Sequence, residues 1–173
     1  MAKVAVLGAM YGQTTGHGAA ALRGLDAAYP VAMAFLADAA RAAQSGVDLR
    51  TRGGRLVEMS SATDQAADAE VERSRSAARG RYGRNAMVQG AAAEFFKMWA
   101  VIVRARLPDT GRIVLCLHDE LLVHARADEA ERVVEVVERG LDETAVRWLD
   151  LDRRANVRFV ADTSVVERWS AAH

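Results

Sequence analysis

Three consecutive polar residues, His118, Asp119 and Glu120, interrupt the otherwise apolar stretch Leu115–Val123, LCLHDELLV. Continuous apolar flanks predict two buried strands, and charge at their junction is costly unless a turn exposes it or a partner neutralises it. Two adjacent carboxylates at such a turn can bind a divalent cation through oxygen ligands. The same residues equally suit an ordinary hairpin with a wet turn. Three residues recur by chance, so the specificity of this signal must come from elsewhere in the chain.

Two rows of side chains supply it. Lys3, Leu7 and Tyr11 stand at i, i+4 and i+8 and share one face of a helix predicted over residues 1–11. A lysine there can act as a point charge for phosphate, and also suits a plain surface position near a terminus. The following GQTTGHG lacks the Lys-Ser/Thr that closes a phosphate-binding P-loop, which excludes that site. Arg81, Asn85 and Gln89 repeat the spacing on a second helix. Arginine holds phosphate, while amides both donate and accept. In a DNA minor groove every base pair offers acceptors at similar places, so amides there sense pair shape without reading sequence. The alternative is the polar face of an amphipathic helix opposite Phe95 and Trp99.

The elements that must position these groups are a mixture. Helices are expected over Ala19–Ala28 and 30–44, the second opened by Tyr29-Pro30 and closed at Ser45-Gly46. LRTRGGRLVEM predicts a short hairpin turning at Gly53-Gly54. Residues 60–79 are polar and Ala-rich, a composition that suits a mobile helical segment, and a long helix is expected from about Arg84 to Leu107, before Pro108. Two strands around the His-Asp-Glu turn, an amphipathic helix from about Asp128 and a last strand near 157–161 complete an α+β arrangement on an antiparallel sheet. With 173 residues, half of them apolar, one domain with a hydrophobic core is expected. No apolar run approaches the roughly 18 residues that span a bilayer, and the reading is a cytoplasmic protein. The single cysteine, Cys116, is expected as a buried thiol. Net charge is zero, yet Arg73–Arg84 carries five arginines and no acid, which suits a protein that meets phosphate on one face, or a solvated helix start.

Taken in order, K-x3-L-G-x2-Y-G, R-x3-N-x3-Q-G, H-D-E between apolar strands and a terminal W-x2-A-H resemble the C-terminal part of the polymerase I family (family A) of DNA polymerases, of the actinobacterial type that pairs a 3′–5′ exonuclease with the polymerase. The GGR turn and the Tyr29-Pro30 step also fit, and the resemblance covers essentially the whole chain. It implies a partial right-hand polymerase fold, with residues 1–80 a partial fingers subdomain and 81–173 the C-terminal part of the palm. Lys3 would then neutralise the triphosphate of the incoming dNTP, with Leu7 beside it, and Tyr11 would sit under the nascent pair. Arg81, Asn85 and Gln89 would contact primer–template DNA near its end, and His118 the primer terminus. Asp119 would be a catalytic metal ligand with Glu120 beside it. Attack of the primer 3′-oxygen on the α-phosphate would use two Mg²⁺ ions, which stabilise the attacking and leaving oxygens.

The departures are equally specific. The second metal-binding aspartate of the family lies in a motif resembling D-Y-S-x-I-E, for which this chain has no counterpart. Leu7 stands where an aromatic commonly packs on the incoming sugar, and Met87 and Ala91 replace the usual Pro and Thr around Gln89. The expectation is therefore a nucleoid-associated, polymerase-derived chain that is inactive alone and works with the missing N-terminal polymerase half. The competing reading is a non-catalytic DNA-binding remnant. A separate phosphohydrolase would need further ligands, and His17, His124 and His173 show no ligand spacing.

Overall fold

The computed structural model describes residues 17–59, 68–149 and 158–171. The chain divides into two compact units, Met1–Ala92 and Ala93–His173, and the division falls within one long helix. The fold class is α+β, as expected. The helix expected over residues 1–11 lies outside the described residues.

In the first unit, α1 (His17–Ala28) and α2 (Pro30–Gln44) meet at Tyr29. Pro30 takes the first position of α2, where its missing N–H would have found no partner in any case. The helix stops where Gly46 adopts φ 73°, a left-handed conformation that favours glycine. There the Gly46 N–H donates to the Ala43 carbonyl and the Val47 N–H to that of Ala42, which satisfies the last carbonyls. The hairpin of β1 (Leu49–Arg50) and β2 (Leu56–Val57) follows. Its turn is tied by the Gly54 N–H to the Thr51 carbonyl and by the Arg55 N–H to Thr51 Oγ1. At its base the Asp48 carboxylate accepts the Met59 N–H at 2.7 Å. Ala43, Val57 and Met59 form the core of this unit, with Leu49 and Ala86 packed on it.

The long helix, α3 (Ala69–Arg106), begins well before the expected Arg84. Asp68 caps it by accepting the Glu70 N–H, and Glu70 and Glu72 sit in its positive first turn. Gly80 and Gly83 argue against a helix on propensity, but packing requires them. A Cβ on Gly83 would lie 2.4 Å from the Ala43 Cβ, and one on Gly90 2.6 Å from Thr51 Cγ2. A Cβ on Gly80 would meet the Gln44 side chain at 2.8 Å. The glycines, with buried Met87, let α2 and the hairpin approach the helix backbone. By length and composition α3 also contains a stretch apolar enough to cross a bilayer, contrary to the sequence reading. Its apolar residues include Trp99, Ile102 and Val103, all buried in the second unit.

In that second unit Trp99, Val103 and Leu141 form the core, surrounded by Phe95, Ile113, Leu121 and Val137. The Trp99 indole N–H donates to the Val137 carbonyl of α4 (Ala130–Leu149) at 2.9 Å, so the buried donor is satisfied. The strands β3 (Arg112–Leu117) and β4 (Glu120–His124) pair antiparallel, with a register shift between Ile113 and Leu115. Three expectations fail here. β3 alternates between exposed and half-buried residues instead of being buried throughout. Cys116 lies toward the turn end of this ribbon and is exposed. Residues 158–161 form no strand; Phe159 reaches the core by its side chain, stacked on Phe95 with centroids 4.2 Å apart.

The glycine contacts separate two substitutions that propensity alone would treat alike. Gly83→Ala should destabilise the protein by roughly 1–3 kcal/mol, because overpacking outweighs the gain in helix propensity. Gly24→Ala, in α1 with nothing within 4 Å of its Cβ position, should stabilise by roughly 0.5–1 kcal/mol. Denaturant unfolding of both variants against the parent chain measures the contrast.

Candidate functional site

The β3–β4 ribbon positions the carboxylates. Leu117 pairs with Glu120, leaving His118 and Asp119 as a two-residue turn. Side chains of this length at a tight turn have nowhere to bury, and His118, Asp119 and Glu120 are all exposed. Exposure resolves the cost that the sequence posed, since the charges stay in water. His118 adopts φ 53°, the left-handed region that residues other than glycine uncommonly occupy. Turns of this type ordinarily take Gly, Asn or Asp there. A histidine held at such a position is strained, and strain of this kind concentrates at functional sites.

Asp119 and Glu120 offer the hard oxygen donors that Mg²⁺ accepts, but among the described residues no three His, Cys, Asp or Glu side chains gather around a common point. The donor set fits one carboxylate centre whose remaining positions go to water and phosphate. It does not by itself make a two-ion site.

In the first unit, the outward face of α3 carries the amide row. The glycine strip at 80, 83 and 90 faces α2 and the hairpin. Asn85 stands five residues from both Gly80 and Gly90, about 140° around the helix, so it points away from that packing. Arg81 and Gln89 are exposed and Asn85 is half-buried. The Asn85 Oδ1 atom is shielded from solvent and accepts no hydrogen bond from the described residues.

Lys3, Leu7 and Tyr11 lie outside the described residues. The carboxylate turn and the amide row belong to different units, and each keeps its own internal geometry. Sequence reading missed the strain at His118, for which H-D-E gives no signal. It also missed that the Ala-rich segment before Arg84 is continuous with α3, although the capping aspartate and acidic first turn of D-A-E-V-E announce that helix start.

One electrostatic pair borders the second unit's helix. Hydrogen bonding from Arg126 holds the exposed Asp128 carboxyl below its usual range, and the same contact raises the Arg126 guanidinium. The two groups meet at 2.8 and 2.9 Å just before α4.

The family model of DNA polymerase family A matches residues 3–171. The chain belongs to DNA polymerase family A. A solved structure, the polymerase domain of Pol1 from M. smegmatis in complex with DNA primer–template and dNTP, is similar with a TM-score of 0.63 at 22% identity. The match covers 82% of this chain and 26% of that one, so the chain spans about a quarter of its length. At that identity the likeness shows the fold, which is that of part of a polymerase domain. Comparison with curated proteins gave no match.

Two outcomes follow from the site geometry. His118→Gly should stabilise the protein by up to about 1 kcal/mol in denaturant unfolding, because glycine adopts this φ without steric cost. The Asp128 contribution has the sign of a depressed carboxyl. It is fully present above the unfolded pKa of about 3.9 and is lost as pH falls through the lower folded value. Asp128→Asn should therefore remove a small, salt-sensitive loss of melting temperature in that acid window.

Proposed function

We propose that this chain takes part in template-directed DNA synthesis, as the C-terminal portion of a polymerase active site. The observation that carries the reading is the family match over residues 3–171, within which the exposed Asp119-Glu120 turn and the outward Arg81–Asn85–Gln89 row are the two elements that the motifs single out. Residues 1–80 act as a partial fingers subdomain and 81–173 as the C-terminal part of the palm. Its ligands are primer–template DNA and a dNTP, and its setting is the cytoplasmic nucleoid.

The residues divide the work by their chemistry. Lys3 offsets the triphosphate charge, Leu7 meets the sugar and Tyr11 the nascent pair. Arg81 takes a phosphate. Asn85 and Gln89 present their amide N–H donors to the minor-groove acceptors of the terminal pairs. His118 contacts the primer terminus, held there by its strained turn. Asp119, with Glu120 beside it, holds Mg²⁺, which when bound stabilises the attacking and leaving oxygens of phosphoryl transfer. Because these two carboxylates are one centre, synthesis needs the second carboxylate motif from an upstream polymerase segment.

A second reading, DNA binding without synthesis, is favoured by the basic stripe Arg73–Arg84, which carries five arginines and no acid. Primer extension separates the two. The chain alone, with Mg²⁺ or Mn²⁺, should give no extension, and addition of the upstream segment carrying the D-Y-S-x-I-E motif should restore it. Asp119→Ala should then return extension to background with DNA binding retained. Failure of the supplemented chain to extend, with binding intact, selects the remnant reading. Robust synthesis by the chain alone would overturn the incomplete-site reading. Asn85→Ala and Gln89→Ala should each weaken primer-end binding by roughly 1 kcal/mol. Neither should lower the melting temperature, since Asn85→Ala deletes an unsatisfied acceptor and Gln89 is exposed.

A further inference from the structure

The early start of α3 at Ala69 gives the amide row an extension that the motif alone does not contain. Arg75, Ala78, Tyr82, Asn85 and Gln89 follow the spacing 3, 4, 3, 4 and so form one stripe along the helix. The packed strip Gly80, Gly83, Met87 and Gly90 has the spacing 3, 4, 3, each position five residues beyond its counterpart in the stripe. The two strips therefore lie on nearly opposite sides, and the close approaches at the glycines fix which side faces solvent. Arg75, Ala78, Tyr82 and Gln89 are all exposed.

The stripe is also electrostatically one-sided. From Arg73 to Gln89 the sequence contains no acid. Within this segment Arg79 is tied to Glu72 at 2.7 Å and to the Gln44 carbonyl. Arg73 donates to the Ala69 carbonyl of its own helix. Arg75 and Arg81 are exposed and make no hydrogen bond or ion pair among the described residues. Arg75 stands ten residues, or about 15 Å of helix, upstream of Asn85.

We propose that Arg75 is a further DNA-contacting residue, extending the Asn85–Gln89 interface along α3 to a backbone phosphate of the bound primer–template. The proposal rests on the polymerase reading of Asn85 and Gln89. It assigns Arg75 affinity and register, with no share in sequence or pair recognition, because phosphate contacts position a protein without reading bases.

Binding of the chain to a fluorescently labelled primer–template duplex, followed by anisotropy across a KCl series, tests it. Removing one arginine–phosphate pair should reduce the magnitude of the slope of log K against log [salt] by about 0.9. Arg75→Gln should show that reduction and Arg75→Lys should not, with unchanged melting temperatures for both. Arg104→Gln, an exposed arginine of the same helix outside the stripe, should match the parent. If Arg81→Gln lowers the slope and Arg75→Gln does not, the assignment of Arg75 fails while DNA binding by this face stands. Equal reductions in Arg75→Gln and Arg104→Gln mean a diffuse field, and also overturn it. A parent chain without salt-dependent binding removes the polymerase reading itself.

Discussion

There is no room for a side chain between the Ala43 methyl and the backbone of α3 at position 83. That exclusion, repeated at positions 80 and 90 against Gln44 and Thr51, sets the rotation of a 38-residue helix about its own axis. Helix propensity would place alanine at these positions, at a gain of roughly 1 kcal/mol each. The chain forgoes that gain and obtains close packing with α2 and the β1–β2 hairpin. Once rotation is set, the positions of Arg81, Asn85 and Gln89 follow without any further interaction of their own. A polar row that must meet a ligand cannot be held by packing its own side chains, so it is held from behind.

The carboxylate turn solves a comparable problem by different means. Its apolar flanks anchor on Trp99, Val103 and Leu141 through Ile113 and Leu121, and its charged residues stay in water at the tip. A two-residue connection leaves little freedom in backbone direction, and the left-handed φ of His118 is the consequence. Short loops give precision at the expense of strain, which suits a residue whose task is to aim a side chain.

Local chemistry was legible wherever one residue type has one strong reason to be present. Pro30 opens α2 and Ser45-Gly46 closes it, Gly53-Gly54 turns the first hairpin, and Pro108 follows the end of α3. The start of α3 was obscured because Gly80 and Gly83 weigh against a helix locally, and only their tertiary surroundings explain them. Cys116 and the predicted strand near 157–161 misled in the opposite sense. Apolar composition implied a burial or a ladder that a two-stranded ribbon, shifted in register after Ile113, does not provide. The site residues themselves were named by motif order. Whether Lys3, Gln89 and Asp119 line one cleft depends on how separate units meet, and no local pattern in the chain specifies that.

Among the described residues, β3 and β4 pair only with each other. Among those residues each strand of the ribbon has an outer edge whose N–H and C=O groups form a template for another extended backbone. Val114 and Leu117, both exposed on β3, add apolar surface to that edge. In a test tube the same edge invites self-association, so the aggregation state of the purified chain should track how well something else occupies it. Solubility would then serve as an inexpensive reporter of docking.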